Sequence, residues 1–169
     1  NQGRKWSIVR DGSVHTMDGS VDEYGNPAKG GNELVTPPLK YEDIDMLQEL
    51  IRKLRRAGAK VDENCGIHIH VGLQPYTAKS LKNLIKFYGK YENMFYKSVQ
   101  VLPNREDGYT RKLAVRHPSL VNEIGKAKTM EDIMGLWYNG HNPFEEQKKH
   151  YSQTRYSGLN LHNIWYKGW

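Results

Sequence analysis

Cys65-Gly66-Ile67-His68-Ile69-His70-Val71-Gly72 alternates residue by residue between apolar and imidazole side chains. In a β-strand, side chains two apart leave the same face, roughly 6.5–7 Å apart along the chain. Ile67, Ile69 and Val71 are therefore expected to face a core, with His68 and His70 together on the opposite face. Gly66 and Gly72 leave space beside the imidazoles. Two imidazoles on an open sheet face can bind a metal, contact phosphates, or do both. A pair of surface or hydrogen-bonded histidines is the plainer alternative. Cys65 has the parity of the isoleucines, so a buried structural thiol is expected rather than a nucleophile. A zinc site from Cys65, His68 and His70 would need ligands from both faces of one strand.

Upstream, residues 6–11 alternate as a half-buried strand, and Asp11-Gly12-Ser13 reads as a turn. The Gly-rich stretch 18–31 is expected to loop before a short strand, Glu33-Leu34-Val35, which Pro37-Pro38 ends. From Tyr41 to Ala57, Ile44, Leu47, Leu50, Ile51 and Leu54 keep helical spacing, with Gly58 at the C-cap position. Downstream of the histidines, Thr77 is an N-cap for a long helix over 78–101. Leu81, Leu84, Ile85, Tyr88, Tyr91, Phe95 and Val99 form its apolar side, and Pro103 closes it. Residues 104–128 are polar and without clear period. Thr129-Met130-Glu131-Asp132 opens a short helix through about Leu136, with acidic residues in its first turn. His141-Asn142-Pro143 reads as a loop and Ser157–Ile164 as a last strand. Strands and helices alternate irregularly, so the fold class is α+β, in a single domain over 1–169.

Three further kinds of residue bear chemistry. Glu33 opens a strand, where a carboxylate beside histidines can ligate a hard cation, although alone it reads as a solvated edge residue. Asp11 reads first as a turn residue. Arg105 and Arg155 sit in a loop and before a strand, places where arginine clamps phosphate or carboxylate, or simply faces solvent. The sequence has no P-loop, no dinucleotide-binding glycine fingerprint and no nucleophile elbow. A barrel metallohydrolase opening with His-x-His would need far more chain than follows His70.

Composition adds bounds. The 169 residues, 37% hydrophobic and 26% charged, suit an ordinary globular domain with a modest core. No apolar run approaches the roughly 18 residues of a membrane span, and no signal-peptide core follows Asn1. The single cysteine forbids an internal disulfide, so a reducing, cytoplasmic setting is expected. A net charge of +6 favours an anionic partner. A basic nucleic-acid-binding domain using eleven tyrosines is one reading, but no helix–turn–helix or stacking motif supports it.

An ordered set of motifs resembles the amidoligase family, within the carboxylate–amine ligases that include glutamine synthetase and glutamate–cysteine ligase. The set is Gly31-Asn32-Glu33-Leu34-Val35-Thr36-Pro37-Pro38-Leu39, a helix, Gly58-Ala59-Lys60-Val61, the His68/His70 stretch, Leu102-Pro103-Asn104-Arg105, and Arg155-Tyr156-Ser157-Gly158-Leu159-Asn160-Leu161. The resemblance implies a curved antiparallel sheet whose concave face holds ATP and magnesium. It also implies an amide bond made through an acyl phosphate from carboxylate and amine substrates, small molecules or peptides. By position, Glu33 and His68 look like metal ligands, with Asp11 as a further carboxylate. His70 looks like a nucleotide-phosphate contact, and Arg105 and Arg155 like clamps. A non-catalytic relative that binds nucleotide or another anion is the alternative. The family's first strand, with its Glu-x-Glu motif, and its last strand, with a paired Glu and Arg, are not recognisable here. A fragment is therefore expected, with an open sheet edge that invites a second copy or a complementing chain.

Overall fold

A computed structural model describes residues 3–15, 20–26, 28–72 and 76–167. Asn1, parts of the expected 18–31 loop and the last two residues lie outside them. The chain forms two compact units, Asn1–His68 and Ile69–Trp169.

The first unit is a hairpin and a helix. Strand β1 (Ser7–His15) pairs antiparallel with β2 (Lys29–Val35), and among the described residues the sheet is these two strands, not closed. β1 runs past the expected Asp11-Gly12 turn, and a register shift between Asp11 and His15 absorbs the Asp-Gly-Ser segment. β2 likewise begins inside the stretch expected to loop. Asp22 builds part of the connection, its Oδ1 accepting from the N–H groups of Tyr24 and Asn26, both at 2.9 Å. After β2, Pro37 is buried. The Arg4 guanidinium forks the Asp43 carboxylate at 2.6 and 2.8 Å, tying the chain before β1 to the turn that opens the helix. That fork holds the Asp43 carboxyl well below its usual range. Helix α1 (Ile44–Arg56) ends as expected, with Gly58 at φ +93°, the Gly58 N–H donating to the Arg55 carbonyl and the Ala59 N–H to that of Leu54. No residue of α1 is fully buried.

The second unit holds the apolar core. Thr77 caps helix α2 (Ala78–Ser98), accepting from the Ser80 N–H. Leu81 and Ile85 of the expected apolar side are buried, with Leu84 and Tyr88 packed against the core, and Glu92 and Tyr96 are buried where Tyr91, Phe95 and Val99 are expected. The region without clear period folds into three short helices, α3 (Pro103–Asp107), α4 (Leu113–Arg116) and α5 (Pro118–Glu123). Thr129 caps α6 (Met130–Tyr138), which buries Ile133, Met134, Trp137 and Tyr138. Short helices α7 (Pro143–Glu146) and α8 (His162–Tyr166) complete it. With helices and strands both present, the chain is α+β.

Two expected strands do not form. Residues 65–71 carry no strand pairing, and Ile67, Ile69 and Val71 are 77%, 82% and 74% exposed. Alternation prepares a strand, but the ladder needs a neighbour, and none pairs with this segment among the described residues. Cys65 is half-buried, with its Sγ 3.5 Å from Asp62 Oδ1, rather than set in a core. Residues 157–164 instead contain one parallel bridge, Ser157 to Arg111, and the start of α8. Asn160 Oδ1 accepts from the His162 N–H and turns the chain into that helix.

Candidate functional site

In the first unit the hairpin register places the carboxylates. Val9 pairs with Glu33 and Asp11 with Gly31. Paired residues share a face and the face repeats every second residue, so Asp11 and Glu33 are diagonal neighbours on one side of the hairpin. Gly31 opposite Asp11 bears no side chain, and Val14 packs over it so closely that a Cβ at Gly31 would collide with the valine. Glu33 is exposed and Asp11 half-buried. Asp11 Oδ1 accepts from the Ser13 hydroxyl at 2.7 Å and the Ser13 N–H at 2.8 Å. Those two bonds, with a smaller contribution from His68, lower its pKa and keep it ionised. His68 is exposed.

The unit boundary falls between His68 and Ile69, so His70 belongs to the second unit, where it too is exposed. Here the structure brings Arg105 and Arg155 to the two ends of an aromatic pair. Arg105 Cζ lies 4.7 Å from the centre of the Tyr109 ring, and Tyr109 meets Tyr156 edge-on at 5.7 Å. Arg155 Cζ lies 5.7 Å from the Tyr156 ring and 5.4 Å from Tyr151, and its Nη1 donates to the His150 carbonyl at 3.1 Å. Each guanidinium thus lies over the face of a tyrosine ring.

The second unit also holds a buried polar group that sequence reasoning missed. Glu92 receives the Leu113 N–H on both carboxylate oxygens, at 2.9 and 3.1 Å. Burial pushes its pKa up, opposed mainly by that N–H and by Lys112. Tyr96 donates to the Thr110 carbonyl at 2.5 Å, and burial pushes its pKa up to about 12. Helical spacing from Ile85 was the available signal for Glu92, obscured because a carboxylate does not count as apolar. His117 and His162 are also buried, His162 receiving the Tyr138 hydroxyl on Nδ1 at 2.8 Å and donating from Nε2 to the Lys149 carbonyl at 2.8 Å. A donating hydroxyl on one side and a carbonyl on the other suit the neutral Nε2–H tautomer.

Set against known families, residues 1–168 match the family described as putative amidoligase enzymes, and the chain belongs to it. No curated protein and no solved structure matches the chain. Among the described residues no helix is long and apolar enough to cross a membrane.

Proposed function

We propose that this amidoligase-family chain is an ATP- and magnesium-dependent carboxylate–amine ligase acting in the cytoplasm on small-molecule or peptide substrates. The observation that carries the reading is the register that puts Asp11 and Glu33 on one hairpin face. Among the described residues no three of His, Cys, Asp and Glu gather into a metal-binding group. Magnesium asks for less, since it is held by one or two carboxylates with phosphate oxygens and water completing its shell. Asp11 and Glu33 are the carboxylates this chain offers on one face, and His68 is the further donor assigned to the ion. A magnesium ion bound there supplies charge neutralisation to the ATP phosphates.

His70 contacts the nucleotide phosphates, and Arg105 and Arg155 clamp the transferred phosphoryl group or the substrate carboxylate. A substrate carboxylate oxygen attacks the γ-phosphorus and ADP leaves with the bridging oxygen. The amine then attacks the acyl carbon, phosphate departs, and the nitrogen loses a proton to give the amide. The guanidiniums stabilise developing charge and transfer no proton.

The test is the melting-temperature shift produced by ADP with magnesium in the parent chain, Glu33→Gln and His68→Ala. A magnesium-dependent shift in the parent that both variants lose is expected. A shift that both variants retain would remove these residues from the site. Binding without ADP release from ATP across a panel of carboxylates and amines would favour the non-catalytic relative instead.

A further inference from the structure

Two buried side-chain atoms in the second unit have no hydrogen-bond partner among the described residues, Arg116 Nε and Ser157 Oγ. Both belong to the seam where residues 111–116 meet residues 153–158. Arg111 and Ser157 form the parallel bridge, the Gly158 N–H donates to the Arg111 carbonyl at 3.3 Å, and Arg116 Nη2 donates to the Gln153 carbonyl. Ser157 is only 6% exposed, so its hydroxyl is largely shielded from bulk water. A buried donor left unmade is costly, and native folds rarely keep one without a use.

Charge at this seam is unbalanced as well. Lys112 is paired with Glu106 at 2.8 Å. Among the described residues, no carboxylate lies within ion-pair distance of Arg111 or Arg116. Arg111, which is exposed, donates its Nε to the Asp107 carbonyl at 2.6 Å, a neutral acceptor. Burial and the nearby Arg111 both lower the pKa of Arg116, as two cations held close without a counter-ion require. The fold thus keeps two guanidiniums and a spare hydroxyl at one seam.

We propose that Arg116, Arg111 and Ser157 form a binding site for a tetrahedral, doubly charged oxyanion, the phosphoryl group of a phosphorylated small molecule or free phosphate. Two positive charges match a dianion. Guanidinium N–H groups suit two of its oxygens, and the Ser157 hydroxyl supplies a donor for a third. A planar carboxylate has only two oxygens and leaves the hydroxyl without a partner. The site uses none of the residues assigned to the ligase reaction and does not rest on that reading.

The experiment titrates the full chain with inorganic phosphate at pH 8, at constant ionic strength and without nucleotide or magnesium, following melting temperature and binding heat. Parallel arms use a simple phosphomonoester and acetate. Phosphate is expected to stabilise the parent chain and acetate not to. Ser157→Ala removes a hydroxyl that bonds nothing in the fold, so it should fold normally and bind phosphate about tenfold more weakly. Arg116→Lys keeps the charge but loses the fork and should weaken binding similarly, while Arg52→Gln on α1 should not. Tighter binding of the phosphomonoester than of phosphate would identify a phosphorylated metabolite as the occupant, and the reverse free phosphate. No stabilisation of the parent, equal effects of acetate and phosphate, or unchanged binding in both site variants would overturn the proposal.

Discussion

The imidazole of His117 lies flat on the indole of Trp137, with ring centroids 3.6 Å apart and planes 22° from parallel, while its Nδ1 meets the Trp137 carbonyl at 2.9 Å. On the other side Nε2 meets the Thr154 carbonyl at 3.2 Å. Helix α6 and the segment leading into the Arg155 motif are thereby joined through one ring. Two carbonyls would suit an imidazolium, but burial outweighs them and pulls the pKa of His117 down to about 4.

That shift makes the second unit acid-sensitive. Between the ordinary histidine value of about 6.5 and about 4, the unfolded chain takes up a proton that the folded chain refuses. Stability therefore falls as pH drops through this window, by roughly 3 kcal/mol in total, and levels off below it. The pKa of His162 is lowered too, chiefly by burial, and acts in the same direction. Melting temperatures from pH 7.5 to 4 should decline in the parent and decline less steeply in His117→Asn. Equal slopes in the two would show that His117 is not the group responsible.

Glu92 has the opposite pH sense. Its raised pKa means the folded chain holds a proton that the unfolded chain releases, so stability is lost as pH rises through its folded pKa. Glu92→Gln keeps an oxygen for the Leu113 N–H without the cost of a buried charge, and should match or exceed the parent at pH 7. Glu92→Ala strands that N–H and should cost about 2–3 kcal/mol. Urea unfolding of the three proteins at pH 5 and 7 measures both effects. A glutamine variant as weak as the alanine one would refute the argument.

Gly158 stands beneath two tyrosines. A Cβ there would run into the hydroxyls of Tyr88 and Tyr96 and come within 2.9 Å of Tyr96 Cε1. Tyr96 cannot swing away freely, because it is buried and bonded to Thr110. Gly158→Ala should destabilise by about 1–3 kcal/mol. Adding Tyr88→Phe removes one colliding oxygen and should restore part of the loss, a coupling that a double-mutant cycle reads directly. Strict additivity would mean that the crowding is relieved by some other movement.

Short-range chemistry was legible in the sequence. Thr77 and Thr129 open helices because a hydroxyl three residues before a free N–H caps it wherever the helix goes. Gly58 ends α1 because only glycine takes φ +93° without strain. The family resemblance was legible for the same reason, as an ordered set of local motifs, and the match over residues 1–168 agrees with it.

What depends on a distant partner was not legible. The alternation at residues 65–71 and the apolar run at 157–164 look like strands, but a strand exists only through its neighbour's hydrogen bonds, which no local pattern names. The tertiary structure leaves the first without strand pairing and mostly exposed, and winds the end of the second into α8. Burial of Glu92 and His117 was equally hidden, since each is kept inside by an N–H or a carbonyl about twenty residues away in sequence. Residue identity determined the caps, the turns and the chemical inventory. Only packing decided which carboxylates share a face and which polar groups leave water, because desolvation and hydrogen bonding are properties of the surroundings that the fold assembles.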